Sequence, residues 1–173
     1  MKGVRPLALS DCEETLRINS ESLPGVVRLD STEFERLLAL PNHHLALDRP
    51  EGGLRGYLLA FASDVSYDGA EFLEFMETVQ GSFIYIDQVA VGAEYRRTGV
   101  ASEFYGALEK WARNSTIAHL CCEVNLSPAN PASLAFHLNQ GFNQTSTLDA
   151  PDGRMVALMI KHLIHAETGA RET

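Results

Sequence analysis

Tryptophan occurs once and cysteine three times in 173 residues. Cys121 and Cys122 are adjacent, and Cys12 stands far from both. That pattern is neither a disulfide framework nor a metal-ligand spacing, so buried free thiols are expected. Basic charge is scarce too: 14 Lys and Arg stand against 23 Asp and Glu, a formal net charge of -9. Without a basic stripe the chain cannot neutralise a run of phosphates, which argues against nucleic acid as a partner. No apolar run approaches the roughly 18 residues that a spanning helix needs, so no membrane partner is expected. The segment "MKGVRPLALSDCEE" meets acidic residues before the apolar core of a secretory signal can develop. A cytoplasmic location is therefore the default expectation.

What is present is an ordinary globular composition, 45 % hydrophobic and 21 % charged. The length suits one domain with a real core, expected over 1–165, with a flexible tail over 166–173. Residues 3–9 read as a first strand. Ser10 with Glu13 resembles a capping box opening a helix that carries Leu16. Phe34, Leu37 and Leu38 have helical spacing, and Pro41 ends that helix. Residues 43–48 and 54–63 read as a hairpin around the turn residues 49–53. Phe72, Phe75, Met76 and Val79 fall at i, i+3, i+4 and i+7, the apolar stripe of a short helix. Residues 82–91 form a strand rich in β-branched and aromatic side chains.

Val100, Phe104, Leu108 and Trp111 then line one face of the longest helix. Residues 117–125 are another strand. In "NPASLAFHLNQGF", Asn130 is placed as N-cap, Pro131 at the first helical position and Gly141 past the end. A last hairpin turns at Pro151-Asp152-Gly153. The order is strand, two helices, two strands, helix, strand, helix, strand, helix and two strands. It predicts a mixed α/β sheet with helices packed on its faces.

One turn carries a chemical signal. "YRRTGVA" lies between the strand ending in "VAV" and the longest helix. A helix start leaves about four backbone N–H groups without internal partners and carries partial positive charge. A phosphate placed there satisfies both. Gly99 allows close approach and unusual dihedrals, Ala101 keeps the first turn open, and Arg96 and Arg97 add fixed charge. The spacing is neither a Walker loop nor G-x-G-x-x-G. On these residues alone, an exposed arginine pair before an ordinary helix is an equal alternative.

"RRTGVA" (96–101) resembles the Gln/Arg-x-x-Gly-x-Gly/Ala signature of the GNAT acetyltransferases, which bind acetyl-CoA. A second block, "NPASLAFHLNQGF", is similar to that superfamily's Asn-x-x-(Ala/Ser)-x-x-hydrophobic-Tyr segment closed by Gly-Phe. Asn130, Ser133, Phe136, Gly141 and Phe142 fall in register. "YDGAEF…FIYIDQVAV" and "CEVN…NPASLAFH" are more narrowly similar to a bacterial GNAT subgroup. The resemblance covers nearly the whole chain. It implies a single-domain, mostly antiparallel sheet of about 6–7 strands, splayed between the fourth and fifth. It further implies that backbone groups of Val89 and Val91 pair with the pantetheine arm. Amides from Arg97 through Thr98, Gly99 and Val100 to Ala101, with the Arg96 side chain, would hold the pyrophosphate. Asn130 would touch the CoA arm, or serve only as helix cap. Ser133 and Phe136 would line the channel.

Acetyl transfer to an amine needs a neutral nucleophile, a polarised carbonyl and a proton for the departing thiolate. The resemblance assigns polarisation to a backbone N–H near Val89. The family's acid is a tyrosine four residues before Gly-Phe, and here that position is His137. Imidazole titrates near neutrality and could serve, or could only pack. Tyr85 and Tyr105 are alternative donors. Glu123 matches a strand position where some relatives carry a catalytic glutamate. Asp87, two and four residues before Val89 and Val91, is expected on their strand face as a second base. Each carboxylate could equally be structural. Glu71, Glu74 and Glu77 read as a solvated face, or as an acidic rim for an amine. His43, His44, His119, His162 and His165 show no ligand spacing, and no metal site is read.

The function this implies is transfer of an acetyl group from acetyl-CoA directly to a primary amine of a small molecule or peptide. A homodimer is common among the proteins it resembles. The alternative is a GNAT-fold acyl-CoA binder that senses or scaffolds without turnover.

Overall fold

A computed structural model describes residues 3–163; the expected tail lies outside the described residues. The elements are β1 (Arg5–Pro6), α1 (Cys12–Glu21), α2 (Ser31–Ala39), β2 (Leu45–Asp48), β3 (Leu54–Ala62) and α3 (Ala70–Thr78). They continue with β4 (Phe83–Val91), α4 (Val100–Asn114), β5 (His119–Ser127), α5 (Pro131–Asn139), β6 (Asn143–Asp149) and β7 (Met155–His162). The strands form one seven-stranded sheet in the order β1-β2-β3-β4-β5-β7-β6. Every neighbouring pair is antiparallel except β4 and β5. The element order and fold class are those expected from the sequence.

The first strand is shorter than expected, because Pro6 cannot donate to a ladder and Leu9–Asp11 turns into a short 3₁₀ segment. Ser10 is not the cap of α1. Asp11 stands at that position, accepting from the Ala8 N–H at 2.9 Å and from Arg5 at 2.8 Å. The cap of α5 forms as expected: the Asn130 carboxamide accepts from the Ser133 N–H at 3.2 Å.

Strand alternation sorts the apolar side chains into two cores. Tyr57, Leu59 and Phe61 of β3 pack with Ile18, Phe34, Leu37, Phe72 and Phe75 of α1–α3. Leu58 and Ala60 pack on the other face with Val100, Phe104, Tyr105 and Leu108 of α4. Two expected core residues lie outside. Met76 is 46 % exposed and Trp111 38 %, because each falls at the edge of its helix's apolar stripe. Trp111 finds a partner in His43, whose ring lies 3.8 Å away.

Two features open the sheet. The pairing of β4 with β5 runs only from Phe83–His119 to Ile86–Cys122. Beyond it, Asp87–Val91 and Glu123–Ser127 continue without pairing to each other. A β-bulge falls at the same place: Leu59 pairs with Gln88 and Ala60 with Ile86, leaving Asp87 without a partner on β3. The bulge flips the alternation. Ile84 and Ile86 face the α4 core before it, and Val89 and Val91 face that core after it. Asp87 therefore does not share the face of Val89 and Val91, as strict alternation predicts. Its carboxylate turns to the other side and accepts from the Tyr67 hydroxyl at 2.7 Å.

A buried polar network ties the α1–α2 loop over this opening. The Asn19 amide donates to the Val27 carbonyl at 2.9 Å, and its oxygen accepts from the Leu29 N–H at 2.9 Å. Tyr57 donates to Gln88 at 2.9 Å, and Gln88 donates to Val27 at 3.1 Å. Asn19 is 1 % exposed, so its loss leaves buried groups unpartnered. Asn19→Ala is expected to destabilise the protein by about 1–3 kcal/mol, read from urea denaturation. An unchanged midpoint would show that the loop is held by something else.

Candidate active site

Three connected spaces meet where β4 and β5 part. A cleft of about 480 Å³ is lined by Arg28, Glu33, Tyr67, Glu71 and Arg154, among others. A second, of about 450 Å³, lies between the α1–α2 loop and α5, lined by Pro24, Val91, Arg96, Asn130 and Ser133, among others. Between them is a constriction of about 50 Å³. It shares Asp87, Gln88, Glu123 and Arg154 with the first cleft, and Gly25, Val89, Asn125 and Ser133 with the second. Two molecules entering from opposite sides would therefore meet between Asp87, Glu123, Tyr105 and His137.

The turn before α4 lies farther along the second side. Gly99 has φ +95° and Arg97 φ 61°, both in the left-handed region. Such alternating conformations aim successive N–H groups into one concavity, which favours an anion. A side chain built at Gly99 meets nothing within 4 Å, so space lies open in front of the amides. Thr98 holds the turn by donating to the Tyr95 carbonyl at 2.6 Å. The helix ladder begins with Glu103 N–H donating to the Gly99 carbonyl, which leaves the Val100, Ala101 and Ser102 amides without ladder partners. Phe136 lines the same space. Arg96 does more than rim it. Its Nε donates to the Val91 carbonyl at 3.1 Å and its Nη2 to the Glu21 carbonyl at 2.9 Å. It thus joins the end of β4 to the last turn of α1, and occupies the Val91 carbonyl expected to face pantetheine.

The acidic groups gather on the first side. Glu123 accepts from the Tyr85 hydroxyl at 2.8 Å. Burial, then the charges of Asp87 and Glu71, push its carboxyl well above the usual carboxylate range. Burial also raises Asp87, to about 6, with the Tyr67 hydrogen bond opposing the shift. Glu71 was expected with Glu74 and Glu77 on a solvated face. It is instead 7 % exposed and meets Arg154 at 2.9 Å. Arg154 also donates to Asp152 at 2.7 Å and to Asn125 at 2.9 Å.

His137 is 3 % exposed. Its Nδ1 lies 2.8 Å from the Ser133 carbonyl, and its Nε2 lies 2.6 Å from the Tyr105 hydroxyl. Burial lowers its pKa below the ordinary histidine value. Both ring nitrogens are thus engaged inside the protein. Asn130 lines the second cleft while its oxygen caps α5.

The geometry brings Asp87, Val89, Glu123, Ser133 and His137 around one constriction, and gathers Arg96, Arg97, Gly99, Val100, Ala101 and Phe136 around the turn. Sequence reasoning missed Tyr67, Arg154, Asn125 and the Asn19–Gln88 network. Gln88 and Asn125 share strands with Asp87 and Glu123, but the contacts that matter join them to Asn19, Pro24 and Arg154, and Tyr67 to Asp87, across long stretches of chain that no local spacing marks. Among the described residues, no helix is long and apolar enough to cross a membrane. Nor do three His, Cys, Asp or Glu side chains converge to hold a metal ion there.

β4 and β5 part beside a helix start whose first amides have no ladder partners, a geometry that suits an extended, phosphorylated ligand. The acetyltransferase (GNAT) family model matches residues 13–142, and the chain belongs to that family. No curated protein matches its sequence. Among solved structures it is similar to the ribosomal-protein-S18-alanine N-acetyltransferase of Escherichia coli, at 16 % identity and a TM-score of 0.72. That match covers 100 % of this chain and 99 % of the other. Arabidopsis thaliana NAA60, solved with acetyl-CoA, aligns at 19 % identity and a TM-score of 0.73, covering 92 % and 98 %. A phosphinothricin acetyltransferase from Sinorhizobium meliloti, also with acetyl-CoA, aligns at 17 % and 0.68, covering 98 % and 96 %. At these identities the likeness bears on the fold.

Gly99→Asp places a side chain and a negative charge in the open space before the amides. Acetyl-CoA is expected to bind the wild type with micromolar affinity, about 8 kcal/mol, and the variant roughly 100-fold more weakly. Calorimetry reads both values. A variant that unfolds cooperatively and binds as the wild type does would remove this turn from the site.

Proposed function

We propose that the protein transfers an acetyl group from acetyl-CoA directly to a primary amine of a small molecule or peptide. The observation that carries this reading is the constriction, which shares walls with both clefts and holds two tyrosine-paired carboxylates. In this reading acetyl-CoA lies along the second cleft. The amides from Arg97 to Ala101 hold its pyrophosphate, with Arg96 at the rim. Its arm runs past Val91, Asn130, Ser133 and Phe136. The thioester reaches the constriction, where a backbone N–H near Val89 polarises the carbonyl.

The amine enters from the first cleft. Asp30, Glu33, Glu71, Asp87, Glu123 and Asp152 line that side against Arg28 and Arg154. Arg154 is already committed to Glu71, Asp152 and Asn125, so it offers little to a substrate carboxylate. The charge balance suits a cation. Asp87 and Glu123 are the groups to draw a proton from the ammonium, directly or through water. His137 stands at the family's acid position.

The alternative of a non-catalytic acyl-CoA binder has one observation in its favour: both ring nitrogens of His137 are tied off. Release of free CoA across a panel of amines separates the two. The enzyme reading predicts release with at least one cationic amine. Tight acetyl-CoA binding without release across the panel would contradict it.

The base assignment has its own test. Glu123→Gln is expected to lower turnover roughly 10²- to 10⁴-fold while leaving acetyl-CoA affinity unchanged. A base must be ionised, so a pKa raised to about 6 places the acidic limb of turnover near pH 6 if Asp87 serves. Asp87→Asn then removes that limb and costs more than Glu123→Gln. Unchanged rates in both variants would leave proton removal to solvent.

A further inference from the structure

We infer that Tyr105, not His137, gives the proton to the departing sulfur, and that His137 is the residue that positions it. The inference rests on the acetyl-transfer reading above. Tyr105 enters the constriction from α4, a helix remote in sequence from α5, and lines it together with His137, Ser133, Cys122 and Glu123.

The hydrogen-bond pattern fixes where the protons are. The Ser133 carbonyl can only accept, so the Nδ1 that it faces at 2.8 Å carries a hydrogen. Burial lowers the imidazole pKa below the ordinary histidine value, so the ring is neutral at neutral pH. Nε2 therefore holds a lone pair, and the Tyr105 hydroxyl donates to it across 2.6 Å. His137 thus has no proton to offer the cavity: one is held by its own helix, and the other nitrogen is covered by the phenol. Tyr105 has a proton, on an oxygen that can turn about its C–O bond. Burial keeps that phenol protonated, raising its pKa well above the ordinary tyrosine value. Other titratable groups facing the pair are Glu123 and Cys122 of β5, Asp87 of β4 and Arg154 beside the β6–β7 turn.

The step balances. The amine nitrogen bonds to the acetyl carbon, and the carbon–sulfur bond breaks with its electron pair going to sulfur. The Tyr105 O–H bond breaks as the S–H bond forms. The amine nitrogen gives up a proton to Asp87 or Glu123 as the amide forms, a proton returns from there through water to the phenolate, and the hydroxyl turns back to Nε2.

The test uses the full chain with acetyl-CoA and an amine that it acetylates. Tyr105→Phe is expected to lower kcat roughly 10- to 10³-fold, with calorimetric acetyl-CoA affinity within about threefold of wild type. His137→Phe is expected to lower kcat by less, and His137→Gln, whose amide oxygen can accept from the phenol, to restore part of the loss. The wild-type pH profile is an arm that needs no variant. A buried phenol stays protonated, so kcat is expected to show no falling limb between about pH 6 and 9. A histidine acid with a lowered pKa would instead lose rate as pH rises above about 6.5. Wild-type kcat in Tyr105→Phe, or an alkaline fall that disappears in His137→Phe, would overturn the assignment. A wild type that binds acetyl-CoA but acetylates no amine would overturn the function itself, and that result is seen before any substitution is made.

Discussion

The parting of β4 from β5 after Ile86 and Cys122 is the constraint on which the rest of the site depends. Two strands that stop pairing expose backbone N–H and C=O groups inside a folded protein, and such groups need partners. The bulge at Asp87 makes the parting sharper, since it breaks the β3 register at the same level. It also sends the Asp87 carboxylate to one face while Val89 and Val91 keep to the other. One irregularity thereby separates an acidic side, with Asp87, from the side on which Val89 and Val91 pack.

Holding this gap open requires support from elsewhere in the chain. The α1–α2 loop covers it and is fastened by Asn19, Gln88 and Tyr57 below and by Asn125 above, whose amide donates to the Pro24 carbonyl at 3.1 Å. Arg96 closes the far end by bridging β4 to α1. The gathered carboxylates oppose folding at neutral pH. The Asp87 pKa is raised by folding from 3.8 to about 6, so its contribution to stability is full below 3.8 and is lost as pH rises through about 6. Sites that hold charged groups away from water commonly cost stability in this way.

Much of this was legible in the sequence because it is local. The strand before "YRRTGVA", the glycine at a helix start and the Asn130-Pro131 cap each follow from a few adjacent residues, and each forms as read. Periodicity also placed Phe34, Phe72, Phe75, Val100, Phe104 and Leu108 in the cores. It failed at stripe edges, where Met76 and Trp111 are exposed. It failed again at Asp87, because a bulge depends on the partner strand and not on the strand's own pattern. Glu71 looked solvated because its partner, Arg154, lies in a hairpin far along the chain. The Tyr105–His137 contact was hidden for the same reason: it joins two helices whose approach is set by the sheet between them.

In the acetyl-transfer reading, the gap between β4 and β5 receives acetyl-CoA with its thioester at the constriction. A crystal structure of the protein with acetyl-CoA tests this most directly. It should show the pyrophosphate on the amides from Arg97 to Ala101 and the pantetheine between β4 and α5. The sulfur should lie near Tyr105, with the acetyl group turned toward Glu123 and Asp87. Acetyl-CoA bound on another surface, or a constriction that stays closed with the thioester outside it, would rule out this gap as the transfer site.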